Sequence, residues 1–226
     1  MLERFSLRTA DAVVVTTPGD KENLVRRYHV PQGKIKIIPN YVDTDLFRPM
    51  PEIQKETGLI VFVGRLEEQK NPWALLEAVK GVPGIRLLMI GEGTLQEPLK
   101  KKIQDERLPV EMQGVIPHAQ LPAILNRAHL FILPSHFEGH PKVLLEAMSC
   151  GVPVIGADSP GIRELLVHRK NGCLAGPSSE ALRRAILELV NDSDLCGRIG
   201  RQARMDVEKR YSLRQVIQQE QLLYAG

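Results

Sequence analysis

Two glutamates separated by seven residues are the strongest candidates for site chemistry. Glu138 lies in a loop after an apolar run, and Glu146 lies in the apolar stretch 143–148 of a helix predicted to begin near Pro141. A carboxylate in such a stretch is costly to bury unless it is paired or hydrogen-bonded. Two interpretations stay open for Glu146: a buried carboxylate with a partner, or an i,i+4 ion pair with Lys142 on a solvated helix face.

The start of the same predicted helix offers a binding site for an anion. The backbone N–H groups of His140, Lys142 and Val143 would lie at its N-terminus, where they lack intrahelical acceptors and the helix dipole favours negative charge. Gly139 would let the backbone approach a ligand closely. Ligands of open α/β sheets bind beyond the carboxyl ends of the strands, and this loop is predicted to follow such an end.

Short apolar runs alternate with helical patterns along most of the chain. The runs are apolar throughout, which is typical of parallel strands covered on both faces. Thr17-Pro18, Asn71-Pro72 and Ser159-Pro160 each predict a capping residue followed by proline at the first helical position. The alternation favours an α/β fold with a doubly wound parallel sheet. The candidate strands are residues 12–16, 35–38, 59–63, 85–90, 110–113, 130–133 and 152–155.

The pattern changes after about residue 178. Residues 181–190, 193–211 and 213–224 predict consecutive helices with no strand between them. Proline and acidic residues in the segment 49–56 mark a linker-like break. We therefore expect three parts: residues 1–50, a body over residues 57–210, and a final helix over residues 211–226.

Composition and charge exclude several classes of protein. A net charge of +3 is too small to indicate nucleic-acid binding, and the basic run 100–102 is typical of a solvated helix face. The odd cysteine count, without C-x-x-C spacing, argues against a disulfide framework or a zinc site. No apolar stretch approaches the roughly 20 residues of a spanning helix, and the first residues do not lead into a signal-peptide core. We expect a cytoplasmic protein, with peripheral membrane association left open.

Several motifs together resemble the family 4 retaining glycosyltransferases. Glu138 and Glu146 resemble the two glutamates of that family's Glu-x7-Glu signature, and Arg65 and Lys70 resemble its diphosphate-binding pair. The resemblance covers roughly residues 11–224 and is specific as a set, although each piece alone is weak. Other matching segments, in chain order, are residues 38–49 (an interdomain crossover), 90–93 (a glycine turn), 113–115 (a base-binding loop), 151–155, 161–164 and 171–172.

The resemblance implies the fold and the roles of four side chains. That family has the GT-B fold of two facing Rossmann-like domains, and this chain would be the C-terminal, nucleotide-sugar-binding half with a helical tail. Arg65 and Lys70 would hold the diphosphate and stabilise the departing nucleotide. Glu146 would accept hydrogen bonds from the ribose hydroxyls. Glu138 would contact the donor sugar and help stabilise the developing oxocarbenium-like centre, so Glu138, Arg65 and Lys70 are the predicted catalytic residues. The alternative for Arg65 and Lys70 is a solvated loop beside acidic neighbours.

The remaining predicted donor contacts come from Val115, Gly139, His140, Lys142 and Val143. His140 departs from the apolar or aromatic residue often found at its position in the family. Its backbone N–H can still serve the donor site. Its side chain would either touch the sugar or fill the mouth of the site, and the sequence does not decide between these.

The implied activity is transfer of a hexosyl-type sugar, with retention, from a UDP-, GDP- or ADP-sugar to an acceptor hydroxyl. No metal or other cofactor is expected. The histidines at 118, 129, 136 and 168 show no metal spacing, and the resemblance implies that the diphosphate is bound without a metal. The N-terminal acceptor lobe is expected to be largely missing, which makes the chain a fragment or half of a split enzyme that needs that lobe or a partner chain. The isolated chain would then be inactive.

Two other functional classes compete with a transferase. The chain would otherwise be a nucleotide-sugar-binding module without catalysis, which the missing lobe favours. A Rossmann oxidoreductase is suggested by Gly91-Glu92-Gly93 after a strand, which mimics a dinucleotide fingerprint. Gln96 occupies the third glycine position of that fingerprint, so NAD binding is disfavoured.

Overall fold

The structure, a computed structural model, describes residues 6–7 and 9–225, with side chains as far as residue 223. A two-stranded parallel sheet comes first, with β1 at Val13–Val15 and β2 at Ile35–Ile37. A six-stranded parallel sheet forms the body that follows, in the order β5-β4-β3-β6-β7-β8. Its strands are β3 Leu59–Val63, β4 Arg86–Ile90, β5 Val110–Gln113, β6 Leu130–Leu133, β7 Val154–Ala157 and β8 Cys173–Ala175.

Helices connect these strands and flank the sheet. The first begins where the Thr17 hydroxyl accepts a hydrogen bond from the Asp20 N–H at 3.0 Å, with proline at the first helical position. Ser178 and Asp192 cap two later helices in the same way. The helices are α1 Pro18–Tyr28, α2 Pro72–Val79, α3 Gln96–Asp105, α4 Leu121–Arg127, α5 Lys142–Ser149, α6 Ser179–Asn191, α7 Ser193–Arg210 and α8 Leu213–Ala225.

The core of the body surrounds β6 and α5. All four residues of β6 are buried, and α5 is buried from Leu144 onward. Burying an aliphatic side chain of this size contributes about 1.5–3 kcal/mol to folding. Because α5 is held along most of its length, the position of its N-terminus beside the sheet is well determined.

The order of the strands creates a crevice at one edge of the sheet. The chain runs outward from β3 through β4 to β5, and then returns to place β6 on the other side of β3. Successive connections therefore leave in opposite directions at β3 and β6, which is where ligands bind in open α/β sheets. The loops that carry Arg65, Lys70 and Glu138 follow these two strands.

The crossover segment between β2 and β3 is fastened to the C-terminal helices. The Val42 N–H donates to the Tyr211 carbonyl at 2.9 Å, and the Leu213 N–H donates to the Val42 carbonyl at 2.9 Å. The Arg204 guanidinium donates to the carbonyls of Thr44 and Phe47. The helical tail thus holds the connection between the two sheets.

The structure confirms the predicted α/β fold with a parallel Rossmann-like sheet and a helical C-terminal tail. Strands 59–63, 110–113 and 130–133 have their predicted bounds, and the strand expected at 152–155 lies two residues later, at Val154–Ala157. The sequence does not predict strand β8, because three residues after a glycine carry too little pattern. The division into residues 1–50, 57–210 and 211–226 stays a prediction.

Two predicted helix starts need correction. No helix begins at Ser159-Pro160, because the Ser159 hydroxyl donates to the Ser135 carbonyl at 2.8 Å and a run of turns follows. Asn71 does precede α2, but it adopts a left-handed φ of 55° and makes no side-chain cap. Its amide instead donates to the carbonyl oxygens of Pro134 and Pro177.

Candidate functional site

A cavity of about 390 Å³ lies at the crevice between the strand ends. It brings together five of the predicted donor-binding residues: Arg65, Val115, Lys142, Val143 and Glu146. They come from the loops after β3 and β5 and from the first two turns of α5. Residues up to 81 positions apart in the sequence therefore share one cavity, as the predicted site requires.

Two hydrogen bonds hold the loop after β6 against Gln69, which follows β3. The His136 N–H donates to the Gln69 carbonyl, and the Gln69 side chain donates to the Phe137 carbonyl, both at 2.9 Å. Gly161 has a φ of +79°, and a Cβ there would lie 2.2 Å from the Glu138 carbonyl oxygen. Only glycine fits this conformation and approach, so Gly161 sets the path of the Glu138 backbone.

Lys70 and Glu138 form an ion pair beside the cavity. The Lys70 Nζ lies 2.5 Å from Glu138 Oε1, and the two side chains are only 13% and 9% exposed. A Cβ on Gly64, which lines the cavity, would lie 3.6 Å from Lys70 Cε. Removing one partner would leave the other charge buried and unpaired, which typically costs about 3–5 kcal/mol. Two of the three predicted catalytic residues, Lys70 and Glu138 but not Arg65, are thus linked to each other.

Glu146 faces the cavity and is buried. The residue is 8% exposed, and its Oε1 lies 2.8 Å from the His118 Nε2. The interpretation of Glu146 as half of a surface pair with Lys142 is therefore wrong. The Lys142 ammonium instead lies 4.6 Å from the centre of the Tyr41 ring, a cation–π contact.

The N-terminus of α5 leaves backbone donors directed to the cavity. Pro141 occupies the cap position and makes no side-chain cap hydrogen bond. The N–H groups of Lys142 and Val143 belong to the first turn, which has no intrahelical acceptors. Both residues line the cavity, so an anion bound there would meet these N–H groups and the positive end of the helix dipole.

Arg65, like Lys142, is an exposed cation that lines the cavity. Its nearest acidic neighbours in sequence have other partners: Glu67 accepts from the Thr94 N–H at 3.0 Å, and Glu68 accepts from the Trp73 indole at 3.2 Å. The hydrogen bonds from Thr94 lower the pKa of Glu67. Arg65 forms no ion pair with the residues that the structure describes, so its charge is available to a ligand.

The rim of the cavity is apolar on the side of β5. Val115 is 73% exposed, while Ile116 and Leu121 line the same cavity and are more buried. An apolar rim opposite a cation and a helix N-terminus suits a ligand with a flat apolar end and an anionic end.

The His140 side chain lies apart from this cavity. It lines a second cavity of about 440 Å³, together with Thr16, Ile37 and Tyr211. Its ring centre is 5.3 Å from that of Tyr211, and burial together with the Arg210 charge lowers its pKa to about 4. The side chain is thus neutral at neutral pH. Its predicted contact with the sugar, and the alternative of a filler at the mouth, both stay predictions.

The glycines that mimic a dinucleotide fingerprint have a packing role. Gly91 has a φ of +132°, and a Cβ there would lie 2.1 Å from the Gly64 carbonyl oxygen. A Cβ on Gly93 would lie 2.4 Å from the Leu66 carbonyl oxygen. Both glycines therefore let the turn after β4 pack against the loop that carries Arg65. No pyrophosphate is needed to explain them.

The cysteines add no chemistry to the site. Cys150, Cys173 and Cys196 are buried free thiols, and burial raises the pKa of Cys150 to about 12 and of the other two to about 11. They stay protonated and unreactive at neutral pH. Within residues 6–7 and 9–225, no group of three or more His, Cys, Asp or Glu side chains could hold a metal ion.

His118 belongs to the site although sequence reasoning missed it. Spacing typical of metal ligands is the easiest way to recognise a functional histidine in a sequence, and His118 does not show it. The signal that could have found it is its place shortly after β5, because the carboxyl ends of parallel strands meet at one edge of the sheet. Glu92, after β4, lines the cavity for the same reason.

Two models of known protein families match this chain. The family model described as "Glycosyl transferases group 1" matches residues 43–206, which contain the whole cavity. The chain belongs to this family. The model described as "Glycosyltransferase Family 4" matches residues 1–46. The predicted membership in a glycosyltransferase family is thereby confirmed.

Curated relatives extend the match over nearly all of the chain. A phosphatidylinositol N-acetylglucosaminyltransferase subunit from Arabidopsis thaliana is 29% identical over 98% of this chain and 50% of its own length. D-inositol 3-phosphate glycosyltransferase from Segniliparus rotundus is 33% identical over 73% of this chain and 41% of its own length. The chain spans about half the length of the curated relatives it matches.

Solved structures share the fold. Sucrose-phosphate synthase from Thermosynechococcus elongatus aligns with a TM-score of 0.90 and 26% identity, over 100% of this chain and 60% of that one. Anabaena HepE, solved in complex with UDP, aligns with a TM-score of 0.90 and 22% identity, over 97% of this chain and 65% of that one. Among the described residues, no helix is both long and apolar enough to cross a membrane.

Proposed function

We propose that this chain is the nucleotide-sugar-binding half of a retaining glycosyltransferase of family 4. The observation that carries the proposal is the cavity of about 390 Å³, which combines the Arg65 cation, the N-terminus of α5 and the buried Glu146 carboxylate. A nucleoside diphosphate has groups that complement each of these: an anionic diphosphate, a ribose diol and a flat base. The base would rest on the apolar rim at Val115.

Arg65 and the N-terminus of α5 would act on the leaving group. When the bond between the anomeric carbon and the diphosphate oxygen breaks, the electron pair stays on the diphosphate and its negative charge grows. A guanidinium and helix N–H groups already aimed at this position stabilise the transition state more than the ground state. The acceptor hydroxyl oxygen would then bond to the anomeric carbon on the face that the diphosphate left, and its proton would pass to the departing diphosphate oxygen. Attack on this face retains the configuration.

Lys70 and Glu138 would act next to this centre as a pair. The Lys70 ammonium, held 2.5 Å from Glu138, is close enough to the cavity to share its charge with the diphosphate. As that happens, Glu138 would be free to accept from a hydroxyl of the sugar and to stabilise positive charge at its anomeric carbon. Retention and these roles rest on the resemblance to family 4 together with the geometry.

The acceptor side would come from a further lobe or a partner chain. Val14 on β1 and Ile37 on β2 are 49% and 38% exposed, although parallel strands normally have both faces covered. The curated relatives are about twice as long as the matched region, and the Arabidopsis relative is itself named for its place in a larger assembly. A lobe docked on β1 and β2 would cover these strands and complete a cleft opposite the cavity.

A nucleotide panel tests the proposal. The purified chain is heated with UDP, GDP, ADP or NAD, and the Tm is recorded as the ligand concentration rises. A ligand that binds only the folded state raises Tm by mass action. UDP is the first choice because HepE is solved with it. We expect at least one nucleoside diphosphate to raise Tm, and NAD to leave it unchanged.

A response to NAD alone, or to no nucleotide, would contradict the proposal. A nucleoside diphosphate response accompanied by transfer once an acceptor lobe is supplied would exclude the non-catalytic binding module. The same response without transfer under those conditions would favour that module.

A further inference from the structure

His118 and Glu146 meet inside the proposed donor cavity. The His118 Nε2 lies 2.8 Å from Glu146 Oε1, and both residues line the cavity of about 390 Å³. His118 opens the short 3-10 turn His118–Gln120 that follows β5, whereas Glu146 lies in the middle of α5. The contact therefore joins two separate elements at the point where the ribose is proposed to bind.

The two partners of this hydrogen bond differ in their need for it. The His118 side chain is 64% exposed, so water could satisfy its ring nitrogens. The Glu146 side chain is only 11% exposed, and a buried carboxylate without a partner is costly. The bond thus serves the carboxylate rather than the histidine.

The His118 ring also packs against the ring of Phe47. Its centre lies 5.0 Å from the centre of the Phe47 ring, with 52° between the two ring planes. Phe47 is 1% exposed and belongs to the crossover segment, where its carbonyl accepts from Arg204 at 2.7 Å. A ring held between Phe47 and Glu146 has few orientations left, so it can impose one on the carboxylate.

We propose that His118 is a positioning residue that orients the Glu146 carboxylate toward the two ribose hydroxyls. This inference rests on the proposed function. The terminal torsion of a glutamate is broad, so an unrestrained carboxylate samples many planes. A carboxylate offers about four lone-pair sites, and His118 takes one of them on Oε1. The remaining sites are then fixed in one plane, where a vicinal diol can donate two hydrogen bonds without a further ordering cost.

The experiment compares two ligands on matched variants. His118→Phe keeps an aromatic ring against Phe47 but removes the donor, and His118→Gln keeps an N–H donor at a similar reach. Affinities for UDP and 2′,3′-dideoxy-UDP are measured by calorimetry, with the GDP or ADP pair used if the wild type prefers those bases. The Tm of each unliganded variant reports any loss of stability separately.

Ribose selectivity is the expected readout. His118→Phe should weaken UDP about fivefold, the size of effect that loss of one ordinary hydrogen bond produces, and leave the dideoxy analogue unchanged. His118→Gln should restore UDP affinity to within about twofold of the wild type. In a Glu146→Gln background, His118→Phe should have less than about a twofold effect, because the two residues act as one unit.

The outcomes separate this inference from the function on which it rests. If the wild type prefers UDP to its dideoxy analogue and His118→Phe keeps that preference, the positioning role is overturned and the proposed function stands. An equal loss for both ligands leads to the same conclusion, because it marks His118 as a structural residue. If the wild type binds no nucleoside diphosphate, both proposals fail.

Discussion

The two parallel sheets of the chain differ in how well their apolar side chains are covered. In the body, all four residues of β6 are buried, whereas in the first sheet Val14 is 49% exposed and Ile37 is 38% exposed. The cavity that holds Arg65 and Glu146 belongs to the body and rests on its buried core. The comparison teaches that the cavity proposed to bind the donor rests on a buried core, while the first sheet leaves apolar side chains exposed.

The largest expected effect of this difference is on catalysis. We expect the chain alone to bind a nucleotide sugar and to transfer none, because no described surface holds an acceptor against the donor. Orienting two reactants is worth about 7–11 kcal/mol of the barrier. The charge of Arg65 also has less effect in an open, water-like site. The check is to incubate the chain with labelled UDP- and GDP-sugars and a panel of acceptors, with and without a separate acceptor lobe.

Robust transfer by the lone chain would contradict this prediction. The cleft would then have to be built in another way, such as between two copies of the chain. Transfer that occurs only with the added lobe would support the view that the lobe supplies the acceptor side.

A second prediction compares one glycine from each sheet region. Gly91→Ala should lower the free energy of unfolding by about 4 kcal/mol or more, because its φ is +132° and the new Cβ would lie 2.1 Å from the Gly64 carbonyl oxygen. Gly33→Ala is the matched control near β2, where a Cβ meets nothing within 4 Å. It should change stability by less than about 0.5 kcal/mol. Urea unfolding of both variants measures this, and similar losses would show that the loops of the body are no more tightly packed.

The third prediction concerns His140, which lies between the two regions. Its pKa falls from the ordinary 6.5 to about 4 on folding, chiefly because burial disfavours the charged ring. The unfolded chain therefore binds this proton first as the pH drops. The stability linked to His140 is complete above pH 6.5 and is lost progressively as the pH falls to about 4, by about 3 kcal/mol in all.

His140→Leu removes that titration. Urea unfolding of the wild type and the variant across this pH window should show a flatter pH dependence for the variant. Parallel curves would mean that the ring is accessible to water and that the two sheet regions do not pack around it.

The sequence predicted the body better than the connections around it. Strands 59–63 and 130–133 could be placed because buried parallel strands are apolar throughout. The edge strand 110–113 alternates apolar and polar residues and was placed within its bounds as well. The start expected at Ser159-Pro160 failed because the Ser159 hydroxyl binds the Ser135 carbonyl, a partner 24 residues away. Such a tertiary acceptor competes with local capping and leaves no local pattern.

Only some of the predicted site residues line the cavity, and their pairing was not predictable. Arg65, Val115, Lys142, Val143 and Glu146 do share one cavity, as the motif spacing suggested. The ion pair of Lys70 with Glu138 and the hydrogen bond of His118 to Glu146 join residues 68 and 28 positions apart. These contacts depend on which strands are neighbours in the sheet, and a single sequence does not contain that order.

The most direct test of the central claim is whether the cavity of the body recognises a diphosphate. Calorimetry would compare UDP with uridine on the wild type, Arg65→Ala and Arg198→Ala, where Arg198 is an exposed arginine of α7 outside the cavity. We predict that Arg65→Ala weakens UDP by about 1.5–3 kcal/mol and leaves uridine unchanged, and that Arg198→Ala changes neither. Equal losses for UDP and uridine with Arg65→Ala, or no loss at all, would contradict the account, because the loop after β3 would then not bind phosphate.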